Sequence, residues 1–350
     1  MIETTAIAIS GGVDSLMAAW FLKEQGHDLI GIHFITGFET NLSRARHPQT
    51  ENRSKIYGIG KQLGIPFEIV DIRTEFQKEI VDYFIESYKQ GQTPNPCLRC
   101  NPVIKFGKIL SYAHRLGAKK LATGHYARID RGSDGNYHLF KGLDTHKDQS
   151  YFLSRLTQQQ LENACFPLGN LRKSEVKRMA DQNGLMPVTG EESQDICFIK
   201  ESSYSEFLEV QTGFKPSPGL IENIKGQVIG KHNGLHRFTI GQRRGINCPA
   251  AEPYYVIHLD AERNRLIVGA KKDLLSSEFI VEDINWIGTQ PIRSLHVNTR
   301  VRYRSKEVES VVYPQDRTTA KVRFSEPQAA VTPGQGAVFY RGNEILGGGW

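Results

Sequence analysis

Apolar positions in the first 200 residues follow two alternating rhythms. Short β-rich runs at 4–10, 29–34 and 67–72 read as strands. Between them, 13–25 and 50–63 carry apolar residues at helical spacing. A further helix is expected over 104–116, with Ile104, Ile109, Leu110, Ala113 and Leu116 as its buried stripe. A fourth strand is expected over 120–126, and Asp134-Gly135-Asn136 turns a hairpin. Strands alternating with helices predict an α/β domain on a parallel sheet.

After about residue 205 the pattern changes. Pro216, Pro218 and Gly219 punctuate a linker, and short alternating strands dominate beyond it. Runs at 254–259 and 265–268 flank a turn, and runs at 299–303, 310–313 and 318–324 suggest a small β-barrel. The expected organisation is an α/β domain over 1–204, a small mixed or β domain over 205–275, and a barrel over 276–350. The barrel is expected to be separable, its removal leaving the first domain folded.

Length and composition narrow the classes. With 350 residues, 39% hydrophobic and 23% charged, the chain has enough material for two or three domains with real cores. No run approaches the ~18 apolar residues of a membrane span. The start, Met1-Ile2-Glu3-Thr4-Thr5, has no basic leader, so the expected location is the cytoplasm, with no membrane partner. Five cysteines in such a chain are not a disulfide scaffold; redox, sulfur or metal chemistry is the better use for them.

Candidate chemistry begins with Ala6-Ile7-Ala8-Ile9-Ser10-Gly11-Gly12-Val13-Asp14-Ser15, a strand entering a glycine turn and then a helix. Two glycines let the backbone approach an anion, and the helix start offers unpaired N–H groups and a positive dipole end. Asp14 either holds Mg²⁺ or orders the loop. A plain strand–helix turn with a Ser/Asp cap has the same composition. A Walker-type loop is absent, because the glycine pair Gly226 and Gly230 is one residue too close and Lys231 is followed by His232.

Cys97 and Cys100 lie in a proline-framed loop, Thr93-Pro94-Asn95-Pro96-Cys97-Leu98-Arg99-Cys100-Asn101, at dithiol or half-metal-site spacing. Near a helix N-terminus, with Arg99 between them, they are expected to be biased toward thiolate. Cys197, between Ile196 and Phe198, is either a third member or a buried strand residue. Cys165 and Cys248 are assigned to packing. Net charge is only +6, but 87–129 holds no Asp or Glu and eight cations: Lys89, Arg99, Lys105, Lys108, Arg115, Lys119, Lys120 and Arg128. Around a cysteine loop, that points to a polyanion such as nucleic acid.

The string Ser10–Ser15 resembles the pyrophosphate loop of the N-type ATP pyrophosphatases, and the chain as a whole resembles the tRNA-specific 2-thiouridylases. The likeness runs through Asn95-Pro96, Cys100-Asn101, Lys105-Phe106-Gly107, Thr123-Gly124-His125-Tyr126-Ala127-Arg128 and Lys147-Asp148-Gln149-Ser150-Tyr151-Phe152-Leu153. It continues through Asp195-Ile196-Cys197-Phe198-Ile199, Phe238-Thr239-Ile240-Gly241-Gln242-Arg243-Arg244-Gly245, Val301-Arg302-Tyr303-Arg304 and the stretch 327–335. The resemblance implies ATP held by Ala8, Ile9, Ser10, Gly11, Gly12, Val13, Asp14, Ser15, Phe34 and Gly124, with Mg²⁺ on its phosphates. The C2 oxygen of the wobble uridine is adenylated, and sulfur is delivered from a persulfide on Cys197. Cys100 is the partner nucleophile, ending in a disulfide with Cys197, and a separate persulfide carrier supplies the sulfur. Asn95, Pro96 and Cys97 are implied at the target base, and His125, Lys147, Asp148, Gln149, Arg302, Tyr303 and Gln335 at the tRNA.

One departure complicates the carry-over. Many members of the family have Asp where this chain has Cys97, and a thiol at about 8.5 cannot replace a carboxyl at about 3.9 unchanged. Cys97, Cys100 and Cys197 are also enough for a [4Fe–4S] cluster with one open iron. The other readings are an ATP-pyrophosphatase amide ligase, which has no use for the cysteines, and a non-catalytic tRNA-binding protein.

Overall fold

The computed structural model describes residues 3–38, 48–188, 196–199, 203–211, 213–249 and 251–350. It opens with β1 (Thr4–Ala8), α1 (Val13–Glu24), β2 (Asp28–Ile35), α2 (Pro48–Leu63) and β3 (Phe67–Asp71), in the expected order. A helix that the pattern did not announce follows, α3 over 73–89, opening into wide turns at Gln77–Val81. Helix α4 spans 96–115, starting at Pro96 rather than at Ile104. Proline suits a first helical position because its missing N–H would have no partner there. β4 (Lys120–Ala122) is shorter than expected, since residues 123–125 leave the sheet as a loop.

Next come β5 (Ala127–Arg131) and β6 (Tyr137–Lys141), the hairpin turned by Asp134-Gly135-Asn136. After them lie α5 (Gln158–Glu162), β7 (Ala164–Cys165), α6 (Lys173–Gln182) and α7 (Tyr204–Glu209). The first sheet has the order β3-β2-β1-β4-β7, with every pair parallel. Both faces are covered, as a parallel sheet requires. Ile7 and Ile9 pack with Leu16, Ile59 and Val176 of α1, α2 and α6, while Ala6 and Ala8 face the cluster containing Phe76, Phe84 and Ile104. Strand order reverses between β1 and β4, and the crevice beyond the carboxyl ends of such strands is where open α/β sheets bind ligands. Residues 10–12 and 123–125 emerge there.

The central sheet, β10-β11-β8-β9, is made of β8 (Gly219–Asn223), β9 (Val228–His232), β10 (Tyr255–Asp260) and β11 (Arg265–Gly269). The last part adds β12 (Leu275–Val281), β13 (Asn285–Trp286), β14 (Leu295–Arg300), β15 (Val308–Pro314), β16 (Ala320–Ala329), β17 (Ala337–Arg341) and β18 (Glu344–Gly349). The strand expected over 299–303 ends at Arg300; beyond it the chain bends, with Ser305 Oγ accepting from the Arg302 N–H at 3.2 Å.

The barrel is not separable in the way expected. Its sheet continues from β18 into β6 and β5, through Glu344↔Phe140 and Ile345↔Leu139. Val338, Tyr340 and Ile345 share one core with Leu98, Ile104 and Tyr151 of the first part. Removing 276–350 would strip that core and leave β6 as a bare edge. Among the described residues no helix is long and apolar enough to cross a membrane.

Candidate functional site

At the end of β1 the chain turns through Gly11, whose φ of 90° suits glycine, and Gly12 leads into α1. No side chain caps the first turn of α1. The Ser15 hydroxyl donates to Gly12 O at 3.0 Å and accepts from the Ser10 N–H at 3.1 Å, closing the loop on itself. Gly124, from the β4 loop, lies against the same turn. A Cβ there would meet the backbone of Asp14 and Ser15 at 2.8–2.9 Å, so a side chain is excluded. Ala8 and Ile9 are buried below the turn, and Phe34 is a half-buried residue of β2.

Asp14 has a role the sequence left open. Both its carboxylate oxygens are 2.6 Å from Lys173 Nζ, and Tyr126 donates its hydroxyl at 2.8 Å. Lys173, at the start of α6, is only 5% exposed. A carboxylate so engaged orders the loop, one of the two roles its sequence position allows. Sequence reasoning missed Lys173, whose only local signal is a lysine beginning a helix.

Cys97 and Cys100 sit in the first turn of α4, not in a loop ahead of it. Gln335 Nε2 donates to Thr93 O at 2.8 Å, and the Thr93 N–H donates to Pro333 O at 2.9 Å, bracing the approach to that turn. Burial pushes the Cys97 thiol up to about 11 and the Cys100 thiol up to about 12, although each keeps some exposed surface. Cys197 raises both further, and Lys105 opposes the rise. The expected thiolate bias is therefore corrected: desolvation outweighs the helix terminus. Arg99 does not help, because its guanidinium pairs with Glu79 at 2.9 Å and lies over the Tyr83 ring.

Cys197 is exposed and lies in a turn, not a buried strand. Its neighbour Phe198 anchors it, packing against Phe76 and Phe84 of α3. The preceding residues 191–195, including Asp195, lie outside the described residues. Cys197 acts electrostatically on both helix thiols, so the three sulfurs share one region. Among the described residues, however, no three His, Cys, Asp or Glu side chains converge on a metal position.

His125 links the two halves. Its Nε2 is 3.2 Å from Lys105 Nζ and its Nδ1 is 2.7 Å from Thr123 Oγ1. Burial, with Lys105 adding to it, holds the imidazole well below its ordinary range. An ammonium only donates, so Nε2 accepts and the proton resides on Nδ1.

Several residues expected at the tRNA are tied into the protein. Asp148 is buried, accepting from the N–H groups of Gly142 and Ser150 at 3.1 Å and from the Ser150 hydroxyl at 3.0 Å; burial pushes its carboxyl up. Gln149 accepts from the Tyr126 N–H. Arg302 donates to Ile240 O, Ala330 O and Thr332 Oγ1, tying the chain before the central hairpin to the barrel. Tyr303 donates to Asp148 O and stacks near Phe152, with ring centres 4.3 Å apart. Asn95 acts on the buried Tyr151 hydroxyl, Pro96 is buried, and Lys147 is half-buried. The acid-free stretch is also less basic in space than in sequence, since Lys89, Arg99 and Lys119 pair with Glu86, Glu79 and Glu3. Lys108, Arg115 and Lys120 remain on the exposed surface.

Sequence profiles of a tRNA methyl transferase HUP domain, a tRNA methyl transferase PRC-barrel domain and an aminomethyltransferase beta-barrel domain match residues 3–201, 205–270 and 276–350. The tRNA-specific 2-thiouridylase MnmA of Desulfosudis oleivorans is 47% identical over 344 residues, covering 98% of this chain and 93% of its own. The MnmA protein of Geobacter metallireducens is 43% identical over 350 residues, covering 98% and 95%. A solved 4-thiouridine synthetase–RNA complex with bound ATP overlaps 52% of this chain and 41% of its own, at 17% identity and a TM-score of 0.33, too slight a likeness to argue from. On this breadth of identity, the chain belongs to the tRNA-specific 2-thiouridylase family.

Proposed function

We propose that the protein replaces the C2 oxygen of the wobble uridine in tRNA by sulfur, at the expense of ATP. The observation that carries this reading is the loop 123–125. Gly124 packs on the Asp14–Ser15 backbone, and the adjacent His125 meets Lys105, the cation acting on both helix thiols. An anion-cradling loop and a thiol pair are thus linked through one short loop.

In the first half-reaction the uridine C2 oxygen attacks the α-phosphate of ATP and pyrophosphate leaves, its charge received by the N–H groups of residues 10–15. Mg²⁺ travels with the nucleotide and neutralises phosphate charge. In the second, the terminal sulfur of a Cys197 persulfide bonds to C2 and AMP departs with the former uridine oxygen. The Cys100 thiolate then attacks Cys197 Sγ, breaking the bond to the transferred sulfur and leaving it on C2 as 2-thiouridine. The products include a Cys100–Cys197 disulfide, which an external dithiol reduces. A carrier protein's persulfide reloads Cys197.

Cys100 must lose a proton before it attacks. Burial holds the thiol up to about 12, and Lys105 is the group that stabilises the thiolate when it forms. Cys97 stands where a carboxyl would serve other members, and it enters here as a neutral contact to the base. The test is product analysis with tRNA, ATP and a persulfide donor. AMP, pyrophosphate and 2-thiouridine should appear together, whereas ADP and phosphate would contradict the scheme.

A further inference from the structure

The helix carrying the cysteines is not a regular α-helix. From Asn101 to Ile109 it runs in wide turns, and the Leu110 N–H reaches back to Lys105 O, five residues away. Pro102 explains part of this, because it has no N–H to return to Leu98. Gly107 explains another part: a Cβ there would lie 2.8 Å from Pro102 O, so only glycine permits the tightened approach.

The wide turns have a geometric consequence for chemistry. In an α-helix, residue i+5 lies about 140° around the axis from residue i, on another face. In a turn bonded five residues apart, i+5 comes back to the same side of the helix as i. Lys105 is i+5 from Cys100, and it does act on the thiols of both Cys97 and Cys100 while meeting His125 at 3.2 Å. Regularising the helix would rotate the ammonium away.

One side chain from another element fastens this turn. Gln160, in α5, donates Nε2–H to Pro102 O at 2.8 Å and to Phe106 O at 3.1 Å, the carbonyls at the two ends of the turn. Its Oε1 accepts from the Thr157 N–H at 3.1 Å, completing the capping box of α5. One amide therefore both caps its own helix and bonds two carbonyls of the wide turn. We propose that Gln160 is a positioning residue for sulfur transfer: its staple across Pro102 and Phe106 holds Lys105 over the thiols of Cys97 and Cys100. This rests on the thiouridylase reading for its catalytic consequence, but not for its structural one.

Gln160→Glu separates the two jobs, since a carboxylate still accepts at the capping box but cannot donate to the carbonyls. The test measures alkylation of Cys100 by iodoacetamide in the full-length protein without RNA, by peptide mass spectrometry across pH. In Gln160→Glu, alkylation near neutral pH should slow about tenfold and its profile move to higher pH, as thiolate stabilisation by Lys105 is lost. Lys105→Met should do the same, and the double variant should be no slower than either single, because both changes remove one interaction. With substrate, AMP formation should stay within about twofold of the parent while 2-thiouridine falls about tenfold. An unchanged alkylation profile in a folded Gln160→Glu protein overturns the proposal, as do additive effects in the double variant. Failure to make 2-thiouridine in the parent protein would sink the functional reading while leaving the alkylation result to stand or fall separately.

Discussion

Lys173 and Asp14 are 159 positions apart in sequence, yet the lysine ammonium lies 2.6 Å from both carboxylate oxygens of the aspartate. The pair ties the first turn of α1 to the start of α6, and Tyr126 completes it from the β4 side. The glycine turn over residues 10–15 is thus held by groups that make no contribution to its local sequence motif.

Lys173→Met should leave Asp14 without its cation. Asp14 is 30% exposed, so part of its charge can turn to water, and the loss of stability should be about 2–3 kcal/mol, below the range for a fully buried pair. ATP affinity should fall about tenfold as the loop loses its order, while tRNA binding holds. Calorimetric ATP titration and thermal unfolding check the two effects; unchanged ATP affinity would mean the pair is only a surface tie.

His138 makes the hairpin-to-barrel junction sensitive to pH. It lies 2.6 Å from Glu344 and 3.1 Å from Asp134, and these partners raise its pKa above 6.5 while Asp134 falls to about 2. A group raised on folding stabilises the native state fully below its unfolded value, and that contribution is lost as pH rises through the native value. Thermal stability should therefore decline as pH climbs from about 6.5 through the neutral range, and His138→Gln should flatten that decline. A slope identical in the variant removes His138 from the account.

The exposed cations separate from those paired with carboxylates. Reversing Lys108 and Arg115 to Glu should weaken tRNA binding and lower the slope of log affinity against log salt by about 2, without touching ATP binding. Lys105 does not belong in that set, because it faces His125 and the thiols. Filter binding across a salt series measures the slope; an unaltered slope assigns Lys108 and Arg115 to plain solvation of the helix.

What was legible in the sequence had local causes. The strand, glycine turn and helix over 4–24 are written in adjacent residues, and so is the hairpin at Asp134-Gly135-Asn136. The start of α4 was also legible in principle, because Asn95-Pro96 is a helix-entry signal that the cysteine pattern overshadowed. Long-range pairings left no such mark. Lys173 gives no sign of Asp14, Glu3 and Glu79 neutralise cations from outside the acid-free stretch, and nothing in 137–141 says that it will extend the barrel sheet. Thiol protonation is hidden from the sequence for the same reason: the helix terminus is local, whereas the burial that outweighs it comes from packing.

The central claim is that one crevice runs adenylation and sulfur transfer as separable steps, with Cys100 needed only for the second. Single-turnover reaction of Cys100→Ser, its Cys197 loaded with persulfide, with ATP labelled at the α-phosphate and with substrate tRNA tests it most directly. The account predicts AMP and pyrophosphate at a rate near that of the parent, with tRNA remaining attached to Cys197 through the transferred sulfur and no free 2-thiouridine product. Release of 2-thiouridine at the parental rate, or label appearing in ADP, would contradict it.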